Sequence, residues 1–70
     1  MYILETYDDR SFYHGQDDCA TEKEELPRLR KRGEDICAIT GRLGFHIVDD
    51  GNWHVVDRVR VQTFDKEYPL

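Results

Sequence analysis

Residues 43–61, LGFHIVDDGNWHVVDRVRV, hold two apolar runs joined by Asp49-Asp50-Gly51, and the conformation of that tripeptide decides the fold. A three-residue loop with glycine last fits a type I turn closed by a left-handed residue at a bulge, where a Cβ is strained. Read this way, the stretch is a β-hairpin that pairs Val48 with Asn52, Ile47 with Trp53 and Phe45 with Val55, and sets His46 opposite His54.

Working upstream, Ile36 to Thr40 reads as another strand, and Gly41-Arg42 has the glycine-first form of a two-residue type II′ turn. The two turns give one register. It places Ile36, Ala38, Leu43, Phe45, Ile47, Trp53, Val55, Val59 and Val61 on one face of a three-stranded meander. Cys37, Ile39, Arg42, His46, Val48, His54, Val56, Arg58 and Arg60 collect on the other, mixed face. Asp57 falls among the apolar residues, which predicts a bulge or a sheet margin at that point. A one-sided apolar sheet calls for a helix against it.

That helix is predicted from about Glu24, with acids at its start, Arg28, Arg30, Lys31 and Arg32 near its end, and Gly33 as a left-handed cap. Thr21 and Glu24 have capping-box spacing, and Leu26 and Leu29 face inward. Pro27 argues against an earlier start, because past the first turn it removes a hydrogen bond and clashes. Met1 to Tyr7 reads as a first strand, residues 8–20 as a surface loop anchored by Phe12 and Tyr13, and Phe64 to Leu70 as a trailing segment. The expected architecture is a single α+β domain spanning residues 1–70, in the order β-α-β-β-β, with one helix on a mainly antiparallel sheet.

Seventy residues with 39 % apolar content can close a small core but not a deep catalytic cleft, which points to a folded binding module. The net charge of −5 disfavours attraction to polyphosphates or anionic membranes and favours a basic partner. No cleavable leader is expected, because Met1-Tyr2-Ile3-Leu4 runs straight into Glu5 without a basic segment or a long apolar core, and the sequence shows no span of membrane length, no repeat and no low-complexity tract. A reducing, cytoplasmic setting with Cys19 and Cys37 as free thiols is therefore expected.

Charge is unevenly distributed. Residues 1–25 carry Glu5, Asp8, Asp9, Asp17, Asp18, Glu22, Glu24 and Glu25 against Arg10 and Lys23, and the basic helix end follows. With Phe12 and Tyr13 as anchors, the carboxylates of Asp8, Asp9, Asp17, Asp18, Glu22 and Glu25 form the expected partner-binding surface. Such a surface suits a non-enzymatic protein-binding module, an inhibitor or modulator that occludes a basic, nucleic-acid-handling face of another protein.

Two alternatives compete with it. Arg28, Arg30, Lys31, Arg32, Arg42, Arg58 and Arg60 would make a nucleic-acid footprint if they converged on one surface. A weak helix-turn-helix echo over residues 35–41 is opposed by the β-like, acidic stretch that follows. In the derived register Cys37, His46 and His54 form a row across adjacent strands, permissible for zinc but lacking a fourth ligand or any CxxC or HxxxH spacing. The same row would set Cys37 beside His46 as an activated thiol, yet no oxyanion hole or enclosing pocket is legible. Asp8, Asp9, His14, Asp17 and Asp18 lack the ligand order of a calcium loop, and no glycine-rich phosphate loop is present. No cofactor and no catalytic residue is expected.

Overall fold

The computed structural model describes residues 1–8 and 16–62. β1 (Tyr2–Tyr7) and β2 (Asp18–Ala20) lead through a short 3-10 turn (Lys23–Glu25) into α1 (Leu26–Thr40), after which β3 (Gly44–Asp49) and β4 (His54–Arg60) complete the order. The four strands form one antiparallel sheet in the spatial order β2-β1-β3-β4, with α1 packed on one face. One helix on an antiparallel α+β sheet is thus the architecture. Two of its elements differ from the expected assignment.

The first difference is the helix. Residues 36–40 are not a strand but the last turns of α1, and Gly33 lies inside the helix instead of capping it. Leu29, Gly33 and Cys37 recur every fourth position and are buried, with Leu26 and Ile36 packed at their flanks, so one stripe of α1 covers the sheet. Gly33 is needed for close approach: a Cβ there would stand 2.6 Å from the Phe45 ring. The cap is Gly41, at φ 81°, whose N–H reaches the Cys37 carbonyl at 2.8 Å. The type II′ turn at Gly41-Arg42 is accordingly absent. At the other end Pro27 falls in the first α-helical turn, where its missing donor costs nothing, and no side-chain capping bond forms from Thr21.

The second difference is β2, which occupies part of the expected surface loop. It is specified by pairing rather than by its own polar sequence: Tyr2 faces Ala20, Ile3 faces Cys19 and Leu4 faces Asp18. The expected anchors Phe12 and Tyr13, with Asp9 and the trailing segment Phe64 to Leu70, lie outside the described residues.

The β3–β4 hairpin forms, but its register is not the one Gly51 predicts. Asp49 pairs with His54 and Val48 with Val55 across a four-residue loop. Its closure comes from side chains: Asp49 Oδ1 accepts from Gly51 N at 2.9 Å, and Asn52 Oδ1 accepts from His54 N at 3.0 Å. The Asp49 carbonyl also accepts from Trp53 N at 2.7 Å. The left-handed residue is Trp53, at φ 60°, and Gly51 is not at positive φ.

A bulge between the Ile47 and Val48 positions then shifts the ladder, so that Ile47 faces Asp57, His46 faces Arg58 and Phe45 faces Val59. Asp57 does mark both a bulge and a sheet margin, because β4 is an edge strand among the described residues. The core comprises Leu4, Ala20, Leu29, Cys37, Phe45 and Ile47, with Val59 and Val61 packed against it as expected. Trp53 and Val55, assigned inward, are exposed, and Ala38 lies on the outer surface of α1.

Candidate interaction surface

Register and alternation sort the charged residues between two faces of the sheet. Phe45, Ile47 and Val59 face α1, so their neighbours His46, Arg58 and Arg60 lie on the opposite side of the sheet together with Glu5, His46 buried and the two arginines exposed. His46 Nε2 lies 2.7 Å from Glu5 Oε1 there.

The acids of the expected partner surface are drawn inward. Asp17 Oδ2 accepts from the Thr6 amide at 2.8 Å and from the Thr6 hydroxyl at 3.0 Å, and Asp17 also pairs with Arg42 at 3.6 Å. Asp18 receives Arg28 at 3.0 Å and Arg32 at 4.0 Å, while its other oxygen accepts from Cys19 N. Glu25 holds Arg28 at 3.0 Å. Asp8 is half-buried, and Glu22 is exposed at the start of the 3-10 turn. Of the expected acidic set, the described residues therefore leave Glu22 as a carboxylate fully presented to solvent.

The basic set is divided in the same way. Arg28, Arg32 and Arg42 hold the carboxylates just named, Arg30 pairs with Asp57, and Lys31 pairs with Asp35 at 2.9 Å. The hydrogen bond that Arg28 donates to Glu25, with the field of Asp18, raises the Arg28 guanidinium above its ordinary value, and the bond that Lys31 donates to Asp35 does the same for Lys31. Arg58 and Arg60 lie on the other side of the sheet, so the expected nucleic-acid footprint does not converge. These two arginines have no acidic partner among the described residues; Arg60 donates to the Gln62 carbonyl at 3.2 Å.

The Cys37, His46 and His54 row is not formed. Cys37 projects from α1 into the core, His46 lies across the sheet facing Arg58, and His54 sits at the hairpin end facing Asp49. Burial pushes the Cys37 thiol up, the opposite of what a nucleophilic thiolate requires. Both cysteines are free. Among the described residues no His, Cys, Asp or Glu cluster is arranged to hold a metal, and no helix is long and apolar enough to cross a membrane.

What the hairpin does assemble is apolar and outward-facing. Trp53 is 70 % exposed, and Val55 and Val56 beside it on the edge strand are also exposed. A tryptophan held left-handed costs about 1–2 kcal/mol relative to an ordinary backbone conformation. Here the side chain is left exposed and no burial offsets that cost. Sequence pattern misses this group because a three-residue loop turns Trp53 inward. The Asp49 and Asn52 side chains, both turn-formers, are the signals for the longer loop.

No protein-family model matches the chain, and neither curated proteins nor solved structures yield a match.

Proposed function

We propose that the chain is a non-enzymatic protein-binding module whose contact surface is the β3–β4 hairpin end and the adjoining edge of β4. The observation that carries this reading is Trp53, a large amphipathic side chain held in a strained backbone conformation and left 70 % exposed. Strained residues that present their side chains outward concentrate at functional sites, and tryptophan is enriched among residues that dominate protein interfaces.

Trp53→Gly separates binding from folding. Glycine accepts the positive φ and little packing is lost, so stability is expected to hold or rise by up to about 1 kcal/mol. A photo-crosslinking aromatic placed at position 53 should trap a discrete partner in cell extract, whereas the same group at Ala38 on the outer face of α1 should not. The affinity of the trapped protein should fall about 30-fold or more on Trp53→Gly. Identical adducts from both positions, or an unchanged affinity, removes Trp53 from the interface.

A second, finer feature concerns the partner's charge. Glu22, Glu24 and Glu34 are exposed and form no ion pair with another described residue, and the chain carries −5 overall. They support a partner with a basic face, including one that handles nucleic acid and is blocked by this chain. Neutralising all three as glutamines should slow association with the trapped partner and flatten its dependence on salt. An association rate with the same salt slope argues that the partner is not recognised through its positive charge.

A further inference from the structure

We propose that the outer edge of β4 takes an extended segment of the partner as a fifth strand, and that this segment carries acidic side chains at alternate positions. The inference rests on the protein-binding reading and assigns the chemistry of what docks at that surface.

Among the described residues β4, seven residues long, forms one margin of the sheet, whereas the opposite margin, β2, has only three. The Val61 amide donates to the Leu43 carbonyl across the β3–β4 pair. By antiparallel alternation, Arg60 and Arg58 direct their N–H and C=O groups away from β3. An edge with a row of outward backbone groups is a template for strand addition.

The side chains choose the occupant. Arg58 and Arg60 are exposed on the side of the sheet away from α1 and lack an acidic partner among the described residues, in contrast to Arg28, Arg30, Lys31, Arg32 and Arg42. A docked strand would place the residues of its same face directly opposite them, where opposite charges attract and like charges repel. The exposed Val55 and Val56 extend the same edge towards Trp53, giving the segment an apolar section beside the acidic one.

A second copy fits less well. A two-fold axis at Asp57 sets Asp57 against Asp57, and one at Arg58, where the outward backbone groups lie, sets Arg58 against Arg58, each a like-charge pair at the centre of the interface. In these registers the edge resists pairing with itself, whereas an acidic strand meets no like charge at Arg58 and Arg60. The exposed glutamates follow β2 or lie on α1, so a partner with a basic face elsewhere is compatible with an acidic segment here.

The test uses the whole chain with two blocked heptapeptides, one alternating valine with glutamate and one alternating valine with lysine. Amide hydrogen exchange followed by NMR provides the readout. The glutamate peptide is expected to slow exchange of the Arg58 and Arg60 amides at least tenfold at saturation and to bind about tenfold tighter than the lysine peptide. The double variant Arg58→Glu/Arg60→Glu, whose sites are exposed, should invert that preference.

Equal binding of both peptides, or no protection from the glutamate peptide at millimolar concentration, overturns the proposal. So does protection that grows with protein concentration alone, which would make the occupant a second copy. If the peptide fails while Trp53→Gly still weakens the crosslinked partner, strand addition falls and the contact reading survives. If the peptide binds but Trp53→Gly has no effect, the reverse holds.

Discussion

Gly33→Val is expected to lower the stability of the domain by about 3 kcal/mol or more, a large fraction of what a chain of this size retains over its unfolded state. The Cβ alone would lie 2.6 Å from Cγ and Cδ2 of Phe45 and 2.9 Å from Cδ1. Phe45 is fully buried between α1 and the sheet, so the ring has nowhere to retreat. Gly33→Ala gains about 1 kcal/mol of helix propensity and should still be destabilising, because overpacking of a closed core costs about 1–3 kcal/mol. Phe45→Ala opens a cavity and should cost about 3–5 kcal/mol by itself. The two losses are expected not to add. In Gly33→Val/Phe45→Ala the valine occupies part of the space the ring vacates, giving a favourable coupling of about 1–3 kcal/mol in urea unfolding. Additive losses, or a Gly33→Val variant as stable as the parent, would show that α1 does not approach the sheet at this point.

The same contact explains which parts of the fold are legible in the sequence. Leu26, Leu29, Gly33 and Cys37 are at helical spacing, but a glycine after three basic residues in four imitates a helix end. Ile36, Ile39 and Thr40 are branched residues that imitate a strand. Only Phe45, across the core, discriminates a packing glycine from a capping one, and that is tertiary information. The hairpin is legible as an element because its apolar runs alternate. Its register is hidden by a loop that Asp49 and Asn52 close through their side chains.

The inward set nevertheless survives in part, for a reason of parity. Val55 stands where Asn52 is expected opposite Val48, a displacement of three residues, and the bulge adds a fourth. An even total returns Val59 and Val61 to the core side, whereas Val55, before the bulge, stays on the other. Asp57 signals the irregularity from sequence alone, being a charged residue at an apolar position. The proposed interaction surface is less legible than the fold. Trp53 points the wrong way until the loop is lengthened, and Arg58 and Arg60 read as one group with the helix arginines until the sheet is placed between them.

The second large loss is expected at Asp17, whose carboxylate looks from composition like part of an acidic skin. Asp17→Ala removes the acceptor for both the amide and the hydroxyl of Thr6, a residue with no exposed surface, and leaves Arg42 without its carboxylate. Each buried polar group deprived of its partner costs about 1–3 kcal/mol, so a total near 3 kcal/mol is expected. Arg42 also donates to the Thr6 hydroxyl at 2.8 Å, so its head stays partly held and the loss stops short of a wholly isolated charge. Asp17→Asn keeps an acceptor for Thr6 while losing the charge, and should cost less than half as much. Urea unfolding gives the two values, and faster exchange of the Thr6 amide locates the damage. This order, Ala well below Asn, follows only if the carboxylate works inside the fold. It has a direct consequence for testing the proposed function: charge reversal at Asp17 or Asp18 is expected to weaken partner binding indirectly, by loosening β2 from β1 and α1, and so would say nothing of what the proposed partner recognises. Among the described residues the side chains of Glu22, Glu24 and Glu34 make no such contacts, so their neutralisation is the one that would report on the charge of the proposed partner. If Asp17→Ala instead leaves stability within about 0.5 kcal/mol of the parent, as at a surface site without internal contacts, the carboxylate is spare and returns to the candidate binding surface.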